Sequence, residues 1–207
     1  MFDNSNIQAS ENPNETDQVI NENVLDLNIV IDELFNLVSK ETNEGKEKRV
    51  IKKHVLDYIH NHKIIPQVIY NWLLNNQNNL NSIYLLGYFN YHGIGTNINM
   101  KNAFELYQKA AELGNNVSLF NLANMFIDGN GVNKNYDKAL EISKKLAEKE
   151  YSNGINLLGY CYVDKKMAFK LYQKAADLGN INAQYNLAGM YKKGEGVDKN
   201  YNKALEL

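Results

Sequence analysis

From residue 80 onward the apolar positions fall into two helical stripes that alternate along the chain. One stripe reads YLLGYF from Tyr84, FNLANM from Phe120, NLLGYC from Asn156 and YNLAGM from Tyr185. The other reads KNAFELYQKAAELGN over Lys101–Asn115, DKALEISKKLAEKEY over Asp137–Tyr151 and KMAFKLYQKAADLGN over Lys166–Asn180. It begins again as NKALEL at Asn202. The anchor leucines Leu86, Leu122, Leu158 and Leu187 step by 36, 36 and 29 residues; the anchor alanines Ala103, Ala139, Ala168 and Ala204 step by 36, 29 and 36. A unit of 36 residues, shortened by seven between Leu158 and Ala168, accounts for both series. Aligned on the second unit, the missing stretch is the equivalent of Gly129–Asn135.

Each unit reads as two helices. In the first, helix A is expected over about Ser82–His92 and helix B over about Met100–Leu113, with Ala103, Leu106, Tyr107, Ala110 and Leu113 at helical spacing. Gly114-Asn115 suits a C-terminal cap, because both residues tolerate left-handed backbone. Gly87, Ala123, Gly159 and Ala188 share one place in helix A; such small residues let helices approach, and Tyr107 and Tyr172 can fill the space between them. The loops GIGTNIN, GNGVNKN and GEGVDKN carry a Gly-x-Gly pair. That pair follows a helix, not a strand, and lacks the further Gly, Lys or Ser/Thr of a nucleotide loop, so it reads as a helix stop and turn.

The first 80 residues differ. Residues 1–15 are polar and read as a disordered N-terminus. Residues 16–80 read as a helical leader. Its first helix is capped by Thr16 or Asp17 and runs to about Lys40, with Ile20, Val24, Leu27, Ile31, Leu34 and Val38 at alternating steps of four and three. A coiled coil would show the same spacing. The added Leu25, Ile29, Val30, Phe35 and Leu37 widen the apolar face, which favours packing inside the protein. A second helix is expected over about Lys46–Asn61, its KEKRVIKKH start a solvated face. A third begins at Pro66, which suits a first turn. Its Val68, Ile69, Trp72 and Leu73 are placed to cover the open end of a stack.

Composition narrows the chemistry. Apolar residues make up 44%, charged residues 22%, and the formal net charge is −2. No basic excess points to nucleic acid, and no run approaches a membrane span. The N-terminus has no apolar signal core, so the expected compartment is cytoplasmic. About one residue in six is Asn, scattered along the chain as a bias of the source would be. Cys161 is the one cysteine, so there is no intramolecular disulfide and no CxxC site. His60 and His62 point to different faces of a helix, and His54 and His62 have no carboxylate or thiolate at ligand spacing. No cofactor, metal or catalytic residue is expected, and Cys161 fits a small semi-buried helix position.

An A-x-x-x-L-[GA]-x-x-[YF] helix, a GxG turn and a K-A-x-x-[LI]-[YS]-x-K-[AL]-A helix ending in Gly-Asn resemble the Sel-1-like repeat, a longer relative of the tetratricopeptide repeat. The resemblance covers about Ser82–Leu207, with units at about 82–115, 116–151, 152–180 and 181–207, the last stopping midway through helix B. It implies an all-α fold, a right-handed α-α superhelix of antiparallel helix pairs with the leader as its N-terminal cap. It also implies a non-enzymatic scaffold or adaptor that binds a partner peptide or helix on its concave face. The A-helix positions left over from packing give the expected contacts: Tyr88, Asn121, Asn124, Tyr160, Asn186 and Lys192. Tyr offers contact area at low entropy cost, and Asn can bond a peptide backbone. The leader and array together resemble the region after the catalytic domain in kinase-like proteins with such repeats. The alternative is therefore a regulatory or substrate-docking arm for a kinase or its substrate, or a truncated paralogue; no HRD or DFG triplet is present. An open C-terminal end would favour self-association. The departures are local: Asn90 stands where other units carry Phe126, Tyr162 and Tyr191, and Lys149-Glu150-Tyr151 replaces Leu-Gly-Asn.

Overall fold

The computed structural model describes residues 14–207, with side chains from Leu27 onward. The described residues form eleven helices and no strand. The leader supplies α1 (Asn14–Asn43), α2 (Lys48–Asn61) and α3 (Pro66–Asn75). The repeats supply A helices α4 (Leu80–His92), α6 (Asn116–Asp128), α8 (Ser152–Cys161) and α10 (Ile181–Lys193). Their B helices are α5 (Met100–Glu112), α7 (Tyr136–Glu148), α9 (Lys165–Asp177) and α11 (Tyr201–Glu206). From α3 on, each helix packs on the next, which makes an α-α superhelix. The disordered segment expected over residues 1–15 lies outside the described residues, apart from the two with which α1 begins.

Asparagine starts most of these helices. Asn79, Asn99, Asn115, Asn135, Asn180 and Asn200 are N-caps whose side chains each accept a backbone N–H in the first turn. Each cap is worth on the order of 1 kcal/mol. The asparagines read as scattered thus include a set with a fixed structural task. Asp164 caps α9 in the same way. Tyr151 at the start of α8 makes no such bond.

The two glycines of each GxG loop have different tasks. Gly93, Gly129 and Gly194 end their A helices in left-handed backbone. Gly95, Gly131 and Gly196 lie on the first residue of a preceding helix: a β-carbon on each would stand 2.5 Å from the Pro66 carbonyl oxygen, 2.2 Å from that of Met100 and 2.3 Å from that of Lys165. No side chain fits there. Pro66 therefore occupies the place in α3 that Met100 occupies in α5, so α3 serves as a B helix ahead of the first unit. Its Ile69 and Leu73 are fully buried, Trp72 packs partly against the core and Val68 stays exposed. In the third unit the loop is absent; α8 ends a turn early at Cys161, and Tyr162, Val163 and the cap Asp164 cross to α9.

The leader does more than cap one end. α1 runs along the A helices and contacts α4, α6 and α8. Val30, Ile31, Leu34 and Val38 are buried in the main core, with Leu27, Phe35 and Leu37 packed partly against it and Ile29 exposed. The Phe35 ring meets Tyr84 edge-on at 5.5 Å. The described half of α1 thus packs inside the protein; Ile20, Val24 and Leu25 lie outside the residues whose side chains are described.

Candidate functional site

The A-helix face holds the C-terminal end of a helix from its own chain. The last residues of α1, Thr42 and Asn43, and the turn residues Glu44 and Gly45 lie on the first turns of α8 and α10. Ser152 Oγ donates to the Asn43 carbonyl at 2.6 Å, Asn180 Nδ2 donates to the same carbonyl at 3.2 Å, and Asn153 Nδ2 donates to the Thr42 carbonyl. The Ile181 N–H donates to the Glu44 carbonyl at 2.8 Å. Asn180 caps α10 with its oxygen while its nitrogen reaches the turn, and it closes the set with a 2.8 Å bond to Asn153 Oδ1. Ser152, Asn153 and Asn180 are all buried, so these bonds are shielded from water. Gly45 adopts φ +77°, and a β-carbon there would strike the Asn180 carboxamide at 2.8 Å.

Glu41 anchors the same turn. It is buried, accepts from Lys46 Nζ at 2.7 Å and pairs with His54 Nδ1 at 2.9 Å. Burial pushes its carboxyl up, but the bonds from Lys46 and His54 outweigh this and hold it below the ordinary value. Lys46 is raised in turn, chiefly by its bond to Glu41.

A cleft of about 380 Å³ opens beside this turn, between the start of α2 and the A helices. Its walls include Lys48, Tyr88, Tyr91, His92, Asn121 and Asn124. The basic start of α2, expected as a solvated face, forms one side of it. Lys48 Nζ donates to the Tyr91 hydroxyl at 3.2 Å, and Lys52 Nζ donates to the His92 carbonyl at 2.8 Å. The C-terminus of α4 presents unpaired carbonyls and a partial negative charge, which draws these cations in. Burial, then Lys52 and Lys48, push the His92 imidazole down to about 3, so it is neutral at physiological pH.

The six residues expected to meet a ligand divide into two groups. Tyr88, Asn121 and Asn124 line the cleft beneath the leader. Tyr88 is only 4% exposed, and its hydroxyl has no hydrogen-bond partner among the described residues. Asn121 donates to the Tyr84 hydroxyl at 3.4 Å and Asn124 to the Phe120 carbonyl at 2.9 Å. Tyr160, Asn186 and Lys192 line a second, open cleft of about 800 Å³ between the third and fourth units. Tyr160 there is 63% exposed, and Asn186 donates to Asn156 Oδ1 at 3.0 Å. The leader stands over the first group and leaves the second open. Sequence reading missed Ser152, Asn153 and Asn180, the groups that grip backbone; their only signal was Asn180 at a helix cap.

Among the described residues no cluster of three His, Cys, Asp or Glu could hold a metal, and no helix is long and apolar enough to cross a membrane. Burial raises the Cys161 thiol, which leaves it protonated and poorly nucleophilic.

Stacked antiparallel helix pairs, each packed on the next, define an α-solenoid repeat protein, an architecture that presents an extended surface to other proteins. The Sel1 repeat matches residues 80–115, 116–151, 145–180 and 181–207, and the chain belongs to the Sel1 repeat family. Among solved structures, the Sel1 repeat protein of Oxalobacter formigenes aligns with a TM-score of 0.65 at 25% identity, over 73% of this chain and 66% of its own. A protective antigen of uropathogenic Escherichia coli strains that displays an SLR fold aligns with a TM-score of 0.61 at 24% identity, over 72% of this chain and 34% of its own. The chain thus spans about two thirds of the first of these proteins and one third of the second. No curated protein sequence matches the chain.

Proposed function

We propose that the protein is a non-catalytic scaffold whose A-helix groove holds an extended segment or helix of a partner protein. The observation that carries this reading is the grip on Thr42, Asn43 and Glu44. There the A helices take the free carbonyls at the end of α1 and the one just beyond it through a hydroxyl, two carboxamides and a helix N–H. A surface that satisfies the backbone of its own chain in this way has the donors to satisfy another. Tyr160, Asn186 and Lys192 meet the partner in the open cleft, and Asn121 and Asn124, beside Tyr88, meet it under the leader. A random-peptide library selected on the protein tests this. Selected peptides lose affinity tenfold or more on Tyr160→Glu with Asn186→Lys, or on Asn121→Lys with Asn124→Lys, and are unaffected by Lys109→Glu or Lys170→Glu on the B helices. Loss through the B-helix changes alone refutes the reading.

A further inference from the structure

The chain carries a net charge of −2, yet the cleft beneath the leader is walled by Lys46, Lys48 and Arg49 against one lining carboxylate, Glu47. Lys46 is committed to Glu41 and Glu44. Lys48 and Arg49 are not committed in the same way. Lys48 donates to the neutral Tyr91 hydroxyl at 3.2 Å and reaches a carboxylate, Asp128, only at 4.0 Å, and Arg49 pairs with the exposed Glu47 two residues before it. Exposed pairs of this kind hold their charges weakly and exchange them readily for a better partner. The neutral His92 adds no positive charge to the floor, so the cationic groups are concentrated at the mouth.

The floor is made for backbone. Tyr88 lines the floor, its hydroxyl buried and without a hydrogen-bond partner among the described residues. The Asn121 and Asn124 carboxamides each donate one bond inside the fold, and their oxygens accept none among the described residues. Thr42 and Asn153 line the same cleft, so it runs directly into the place where the end of α1 is already held by its carbonyls. Its volume of about 380 Å³ lies in the range that takes a small ligand or a few residues of chain.

We propose that this cleft selects acidic segments: an extended stretch of a partner protein lies on Tyr88, Asn121 and Asn124, with Asp or Glu side chains directed to Lys48 and Arg49. Cations at the mouth steer an acidic chain inward, and the carboxamides hold it without regard to sequence. The proposal rests on the groove reading above and adds the charge of the partner and the role of the leader as the wall that chooses it.

The test is a selection of random twelve-residue peptides on wild-type protein and on the double variant Lys48→Glu with Arg49→Glu, both positions exposed and both proteins checked for unchanged helix content by circular dichroism. The wild type enriches peptides rich in Asp and Glu. Their affinity, read by fluorescence anisotropy, falls tenfold or more on the charge-reversed protein and falls with added NaCl. The milder pair Lys48→Gln with Arg49→Gln gives an intermediate loss. Selected peptides with no acidic bias, or acidic peptides that bind the reversed protein as well as the wild type, overturn the proposal and leave the groove reading standing. Recovery of no peptide at all overturns both.

Discussion

Gly87 lies against the ring of Tyr107: a β-carbon built on the glycine would stand 3.0 Å from ring atoms Cδ1 and Cε1. The third unit repeats the pair, with Gly159 against Tyr172 at 2.8 Å. In the second unit both partners differ together, to Ala123 and Ser143. The hydrogen in place of a methyl group is what lets a buried tyrosine lie flat between helices A and B.

Gly87→Ala should therefore destabilise the protein by about 1–3 kcal/mol, since Tyr107 is buried and its ring has nowhere to move. The penalty should shrink in a Tyr107→Ser background, which reproduces the second unit. A double-mutant cycle by urea denaturation measures the coupling, expected at roughly 0.5–3 kcal/mol. Equal penalties in both backgrounds would show that the ring is not the obstacle.

Glu150 carries a left-handed backbone, φ +55°, where the equivalent residues of the first and third units are Gly114 and Gly179 at +91° and +80°. A side chain in this region is strained by about 1–2 kcal/mol, and glycine returns part of that gain through its greater freedom in the unfolded chain. Glu150→Gly should thus stabilise by about 0.5–1 kcal/mol, a rise in Tm of roughly 1–4 °C for a chain of this size. The exposed Lys174 pair that it removes is worth little. A fall in Tm in a thermal scan would contradict this account.

Acid should loosen the leader first. His92 is held neutral at about 3, whereas an unfolded histidine takes its proton near 6.5, so its contribution is complete above 6.5 and lost as pH falls from there toward 3. Glu41 adds a second loss in the same direction. Its folded carboxyl lies below 4.5, so its pairing with Lys46 and His54 is complete above that value and lost as the pH drops below it. Tm should decline from pH 7 to pH 4, at most about 1.4 kcal/mol per pH unit from one such group. His92→Gln should flatten the part of the decline between pH 6.5 and 4.5. An unchanged profile in that variant would show that His92 does not titrate on unfolding.

The repeat half was legible because its determinants are local and periodic: Leu86, Ala103 and their equivalents recur at fixed steps, and the glycine stops fall between them. The leader was legible as helices but not as a wall. Ser152 and Asn43 are 109 residues apart, and nothing in the spacing of α1 states which face of the stack it will cover. Helical spacing alone likewise does not state that Tyr88 is only 4% exposed. The basic start of α2 read as solvated because its partners, the Tyr91 hydroxyl and the His92 carbonyl, belong to another helix. The asparagine caps were hidden by abundance, since in a chain so rich in Asn a cap is not conspicuous.

The shortened third unit gives the remaining prediction. Each complete loop seats its second glycine on the backbone at the start of a preceding helix, as Gly131 does on Met100. The corresponding place on α7 is Tyr136, which has no loop glycine on it and is 60% exposed. Inserting GNGVNKN after Asp164 restores the second-unit pattern, with the new asparagine as N-cap of α9 and the new second glycine opposite Tyr136. Lengthening the connection is entropically mild, about 0.6 kcal/mol per doubling of loop length. The packing regained should offset it, so Tm should stay within a few degrees of the parent. Tyr136 should become less accessible to iodination, which reads the contact directly. A large loss of stability, or no change at Tyr136, would mean that the seven residues are missing from somewhere other than this loop.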